Sequence, residues 1–167
     1  MSFTFRLAGS SDLPRITDIY NQAIAMHSAT ADMTPVTVAD RSGWLDQHPA
    51  NKYPVYVALS GEDVVGYCSI SAYRPGREAL RYTAEISYYV DEAWRRKGVA
   101  SGLIDYAIVQ CESLDIKTLF AIILDVNEGS PALLAKFGFE EWGRLPGVAD
   151  FDGSECGHLY YGKRIRP

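Results

Sequence analysis

Phe3, Phe5 and Leu7 alternate with polar residues, a period of two that predicts a first strand. Ser10, Ser11, Asp12 and Pro14 then supply helix-start chemistry. Leu13, Ile16, Tyr20, Ala23 and Ile24 recur on one helical face, so a helix is expected to about His27. The stretch ATADMTPVTVAD reads as a loop able to border a pocket, before a shorter helix around Ala39 to Gln47. From Tyr53 the pattern changes. YPVYVALS, VVGYCSISAY and LRYTAEISYYV are three β-rich runs separated by GED and RPGREA turns, which predicts antiparallel hairpins. A helix from about Gly98 to Glu112 follows, its turns marked by Val99, Leu103, Tyr106, Ala107 and Val109 or Gln110, and TLFAIILDV is the next strand. SPALLAKF reads as a short helix with Pro131 at its first position and Gly138 as its C-cap. FEEWGRL and HLYYGKRI, on either side of a turn at Asp152 and Gly153, are two further strands. Strand, two helices, three strands, helix, strand, helix and two strands make an α+β arrangement with a mixed sheet.

The 167 residues suit one domain spanning 1–167, and 47% hydrophobic with 22% charged residues is ordinary for a folded chain. A net charge of -5 argues against general nucleic-acid binding, which favours a basic face. The start, MSFTFRLAGSSD, does not read as a signal peptide, and the runs YAIV and LFAIIL are too short to span a bilayer. The expectation is therefore a cytoplasmic protein with no membrane partner. Cys68, Cys111 and Cys156 are odd in number and without CxxC spacing, so they are read as packing residues rather than as a disulfide framework or zinc site. No metal-ligand spacing is found, and His27 and His48 are expected at the surface.

Against this acidic background WRRKGVASGL, residues 94–103, stands out. A chain that leaves a strand and opens a helix exposes unpaired N–H groups, and these converge with the helix dipole on one point, a setting that suits phosphate. Gly98 lacks a Cβ and lets backbone approach a ligand closely. The stretch matches neither GxxxxGK[ST] nor GxGxxG. On these features alone an anion cradle and a solvated basic turn both stand.

RRKGVA resembles the Q/R-x-x-G-x-G/A signature of the Gcn5-related N-acetyltransferases (GNAT), with Arg95, Gly98 and Ala100 at the defined positions. DVNEGSPALLAKFGF is similar to the family's second motif, an asparagine, a small residue three later, then an apolar helix ending in glycine and phenylalanine. Within the family the chain looks closest to the phosphinothricin and methionine sulfoximine acetyltransferases, over roughly residues 3 to 145, through IYNQAI, VVGYCSI and RYTAEISYYV. It departs from that subgroup in the ATADM loop, where an aromatic residue is replaced, and in the last hairpin, GVADFDGSECGHLYY. The resemblance implies the GNAT acyl-CoA N-acyltransferase fold, a mixed and mostly antiparallel sheet flanked by helices.

It also implies roles. The backbone of Tyr88, Tyr89 and Val90 would hold the pantetheine arm and thioester of acetyl-CoA. Arg96, Lys97, Gly98, Val99, Ala100 and Ser101 would receive the pyrophosphate, with Arg95, Arg96 and Lys97 adding charge. Asn127 would bond the pantetheine amide, and Ser130 would cap the following helix or touch the cofactor; serine before proline at a helix start explains a cap without a ligand. Glu85 matches the subgroup's general base. A free amine with a pKa near that of lysine, about 10, is mostly protonated at pH 7, so something must take its proton. A structural pairing of Glu85 with Arg81 is the competing account. Many relatives carry a tyrosine or histidine seven residues after the asparagine to protonate the thiolate. Here that position is Leu134, and Tyr88, Tyr89, Tyr160 and Tyr161 are the available tyrosines.

Tyr73 and Arg74 match an aromatic-arginine pair near the acceptor, where Arg74 and Glu85 would bind substrate; an exposed hairpin tip explains the pair equally well. His158, Asp150 and Asp152 lie in the divergent hairpin. The expected function is transfer of acetyl from acetyl-CoA to the primary amine of a small molecule, such as an amino acid or an analogue like phosphinothricin or methionine sulfoximine, by a homodimer. A non-catalytic coenzyme-A-binding module, or an enzyme for peptide or protein amines, is the alternative.

Overall fold

A computed structural model describes residues 1–167. The strands are β1 (Thr4–Leu7), β2 (Val55–Ser60), β3 (Asp63–Ala72), β4 (Thr83–Val90), β5 (Thr118–Leu124), β6 (Glu140–Phe151) and β7 (Ser154–Arg164). The helices are α1 (Leu13–Ala25), α2 (Val38–Asp46), α3 (Val99–Gln110) and α4 (Gly129–Lys136). One seven-stranded sheet runs in the order β1-β2-β3-β4-β5-β7-β6. Every neighbouring pair is antiparallel except β4 with β5, so the sheet is mixed and mostly antiparallel, as expected.

The alternation along each strand sorts side chains into two cores. Tyr56, Ala58, Cys68, Ile70, Ala84, Ile86, Leu119 and Ala121 pack beneath Val99, Leu103, Ile104 and Ala107 of α3 and Leu134 of α4. Val55, Val57, Leu59, Val64 and Tyr67 pack on the other face against Ile16, Ile19, Tyr20 and Ile24 of α1. The predicted stripe of α1 is the buried one, and all three cysteines are free and buried.

Gly66 of β3 lets α3 sit low on the sheet. A Cβ there would come within 2.8 Å of Val99 Cγ1 and 3.1 Å of Tyr89 O, so its absence brings the first turn of α3 onto β3 beside β4. Asp91, directly after β4, ties the next loop to α1. Its carboxylate accepts hydrogen bonds from Arg15 (2.6 Å), Gln22 (3.0 Å) and Ala93 N (2.9 Å). Burial disfavours the charged form of Asp91, yet the bonds from Gln22, Arg15 and Ala93 outweigh it and hold the pKa below the ordinary range.

Several local expectations are corrected. The helix α4 begins at Gly129, two residues before Pro131, which is its third residue rather than its first. Val109 is exposed and belongs to no core face of α3. Leu80 to Tyr82 lie outside β4, in and after a short 3-10 turn at Glu78–Leu80. The last hairpin is longer than predicted and turns at Asp152 and Gly153, both at positive φ. His27 is exposed, but His48 is packed against Trp44, with Nδ1 2.8 Å from Trp44 O and Nε2 3.1 Å from Ser71 Oγ.

Candidate functional site

Strands β4 and β5 share only three registered pairs, Thr83 with Thr118, Ala84 with Leu119 and Glu85 with Phe120, and then part. Beyond Glu85 the two strands form a fork. On its other side β4 pairs with β3 through Val90. Bonds from Tyr73 N to Thr83 O and from Asp91 N to Val65 O, at the two ends of that ladder, put the odd-numbered residues of β4 in hydrogen-bonded pairs with β3. The main-chain groups of Tyr88 and Val90 therefore point away from β3, into the fork, where β5 no longer meets them.

The fork opens into a cleft of about 590 Å³, within the range usual for small-molecule sites. Tyr88, Tyr89 and Val90 form one wall, Arg95, Arg96, Gly98, Val99, Ala100 and Ser101 a second, and Asn127, Gly129, Ser130 and Leu133 a third. Gly98 is the N-cap of α3, at φ +90°, and provides no side-chain acceptor. The N–H groups of the first turn are consequently left without a capping partner at the cleft wall. A Cβ on Gly98 would meet nothing within 4 Å, so the backbone conformation, rather than crowding, selects glycine. Arg96 is also left-handed, at φ +58°.

Of the residues predicted for the donor, Lys97 alone lies outside the lining; its Nζ sits 5.0 Å from the centre of the Trp94 ring. Trp94, Met26, Ala29 and Lys136 line the cleft without having been predicted. Lys136 was legible in principle, because Ser130, Leu133 and Lys136 recur every three residues on α4. Met26 and Ala29 depend on how the end of α1 approaches the fork, which no local pattern encodes.

Ser130 is not the cap of α4. Its N–H donates to Asn127 Oδ1 (3.1 Å), so Asn127 satisfies the helix start while its amide nitrogen stays uncommitted. The Ser130 side chain is buried and accepts a hydrogen bond from Tyr88 Oη at 2.9 Å. Burial lifts the Tyr88 phenol to about 12, with the Ser130 bond pulling the other way.

Glu85 stands where the fork closes, paired across the sheet with Ser71 and Phe120. It is half-buried and forms no ion pair, with Arg81 or any other cation. Burial raises its pKa above the usual glutamate range. Glu85 projects to the α1 and α2 face, the face opposite Ala84 and Ile86, and Tyr88 projects to the α3 and α4 face. The two groups thus flank the open edge of β4 from opposite sides.

Tyr73 and Arg74 lie elsewhere, in a depression of about 230 Å³ at the tip of the β3–β4 hairpin. Tyr73 is nonetheless connected to the fork, since its ring packs 5.0 Å from that of Phe120, the cross-strand neighbour of Glu85. Arg74 is exposed. His158, opposite Leu124, and the turn at Asp150 and Asp152 lie on the β6–β7 hairpin rather than in the cleft.

The model of the acetyltransferase (GNAT) family matches residues 16–139. YwnH of Bacillus subtilis is 42% identical over 163 residues, spanning 97% of this chain and 99% of its own. The L-methionine sulfoximine/L-methionine sulfone acetyltransferase of Pseudomonas aeruginosa is 36% identical over 149 residues, 89% of this chain and 86% of its own. Among solved structures, a GNAT superfamily phosphinothricin acetyltransferase from Sinorhizobium meliloti in complex with AcCoA superposes with a TM-score of 0.92 at 30% identity, covering 98% of this chain and 89% of that one.

Proposed function

The chain belongs to the acetyltransferase (GNAT) family, and from that premise we propose that it moves acetyl from acetyl-CoA to the primary amine of a small molecule, with Glu85 as general base. The observation that carries the proposal is the fork, which sets an unpaired strand edge beside an uncapped helix start, with a part-buried carboxylate standing where the fork closes.

The residues fit the donor. The N–H groups at the start of α3, with Arg95, Arg96 and Lys136, suit pyrophosphate and phosphate oxygens. The outward main-chain groups of Tyr88 and Val90 and the free amide of Asn127 suit the amides of a pantetheine arm. Acetyl-CoA, when bound, supplies an activated acyl carbon and a thiolate leaving group. Glu85 receives the amine proton, directly or through water. Its raised pKa makes it a stronger base than an ordinary glutamate. The small-molecule acceptor is supported by the substrates that relatives' names carry, methionine sulfoximine and its sulfone among them.

The test is release of free thiol from acetyl-CoA across a panel of amines, including phosphinothricin, methionine sulfoximine, free amino acids, polyamines and a peptide with a free N-terminus. Thiol release driven by small amino acids or their analogues is expected. Donor binding without any amine-dependent thiol would replace the proposal by a coenzyme-A-binding module, and release confined to the peptide would replace its substrate class.

The proposal extends to a cytoplasmic homodimer built from one domain over residues 1–167. No helix is long and apolar enough to cross a membrane. The edge strand β6 exposes Trp142, Leu145 and Val148, side chains that a second copy would cover. Sedimentation is expected to give twice the chain mass, and Trp142→Glu to shift the protein towards monomer; a monomeric wild-type protein at micromolar concentration removes the dimer.

A further inference from the structure

We infer that the Tyr88 hydroxyl, backed by Ser130, is the proton donor to the departing thiolate in this protein. The inference rests on reading the cleft as the thioester site.

Acyl transfer from a thioester moves two protons. One leaves the attacking amine, and Glu85 stands to take it. The other must reach the sulfur. Leu134, fully buried in the core under α3 and α4, has no proton to give. The geometry around it supplies a substitute. Ser130 and Leu134 are four residues apart and lie on the same face of α4. Tyr88 reaches across from β4 to place its hydroxyl 2.9 Å from Ser130 Oγ. A phenol thus ends one helical turn from Leu134, in the wall of the cleft.

Its position on β4 gives the reaction two sides. Three residues of an extended strand cover about 10 Å, and odd and even positions face opposite ways. Glu85 lies on one face and Tyr88 on the other, with the open edge of β4 between them. An amine arriving on the Glu85 side forms its bond to an acyl carbon lying at that edge. The carbon–sulfur bond then breaks, its electron pair going to sulfur on the Tyr88 side. The Tyr88 hydroxyl passes its proton to the sulfur, giving free thiol and amide. Ser130 Oγ turns its own hydrogen toward the phenolate, and water in the cleft returns the missing proton. Glu85 gives the amine's proton to solvent, so the cycle closes without another reactant.

Burial supports this role by keeping Tyr88 protonated throughout the physiological range. It also makes the phenol a weaker acid than an exposed tyrosine, and the Ser130 bond works against that shift. Ser130 is held at the correct height because its own N–H is fixed by Asn127 Oδ1. The other tyrosines are less well placed. Tyr89 points to the α1 face, where it packs against Tyr20 and Tyr67. Tyr160 and Tyr161 lie on β7, beyond β5.

Tyr88→Phe and Ser130→Ala separate the outcomes. Tyr88→Phe is expected to lower kcat roughly tenfold to a hundredfold, at the low end of acid–base assistance because a thiolate leaves readily. The dissociation constant of acetyl-CoA, measured by calorimetry, is expected to stay within about twofold. Ser130→Ala, which keeps the phenol but removes its support, should lower kcat by a smaller factor. Replacing Tyr88 by 3-fluorotyrosine, a stronger acid of nearly the same shape, should restore kcat to at least the wild-type value. Unchanged kcat in Tyr88→Phe overturns the inference, as does a loss carried wholly by weaker donor binding. Failure of the wild-type protein to release thiol with any amine would instead reject the thioester reading itself.

Discussion

Glu85→Gln is expected to reduce kcat by about a hundredfold or more at neutral pH, because general-base assistance is typically worth a hundredfold to ten-thousandfold. Acetyl-CoA affinity should be nearly unchanged, since the carboxylate lies outside the cleft lining. The pH profile carries the sharper test. Burial raises the Glu85 pKa, so wild-type kcat/KM should fall as pH drops through a value above the ordinary glutamate range, and the variant should lose that limb. The stability effect has the opposite sign. A carboxyl whose folded pKa exceeds its unfolded pKa binds more protons when folded, so the protein loses stability as pH rises between the two values. Removing the charge should therefore leave the melting temperature at pH 7 equal or higher. Unchanged turnover with an intact pH profile would remove Glu85 from the mechanism.

Gly98→Phe is expected to weaken acetyl-CoA binding by about tenfold to a hundredfold. Two effects act together. A non-glycine residue held in left-handed backbone costs roughly 1–2 kcal/mol, and the protein relieves it by moving the N–H groups at the start of α3. The phenyl ring also adds bulk at the cleft wall that Gly98 forms, where no neighbour within 4 Å constrains its first carbon. Gly98→Ala retains the first effect with little of the second and should fall between. Calorimetric titration separates the three proteins, and equal affinities would mean that the start of α3 does not hold the donor.

The sheet and helix order was legible because β1 alternates with a period of two, β2 to β4 are β-rich runs bounded by turn residues, and the apolar stripe of α1 recurs every three to four residues. The positions that misled are those where neighbours decide. Proline is tolerated throughout the first turn of a helix, where its N–H has no partner in any case, so Pro131 does not mark where α4 begins. That uncertainty gave Ser130 the capping that Asn127 performs. Val109 is apolar but exposed, because the sheet covers only a narrow stripe of α3. WRRKGVASGL announced an uncapped helix start through Gly98. The split between β4 and β5 has no local signature, since it arises only when Glu85 and Phe120 are the last residues to meet.

That split leaves an unpaired strand edge inside the molecule. Unpaired edges usually recruit another chain and seed aggregation. This one is walled in by the end of α1, with Met26 and Ala29, and by Leu133 and Lys136 of α4. A polypeptide strand laid along this edge would bring side chains to both faces, against those walls. A slender arm carrying amides along its length, as proposed for the donor, would bring none and could still complete the edge's hydrogen bonds.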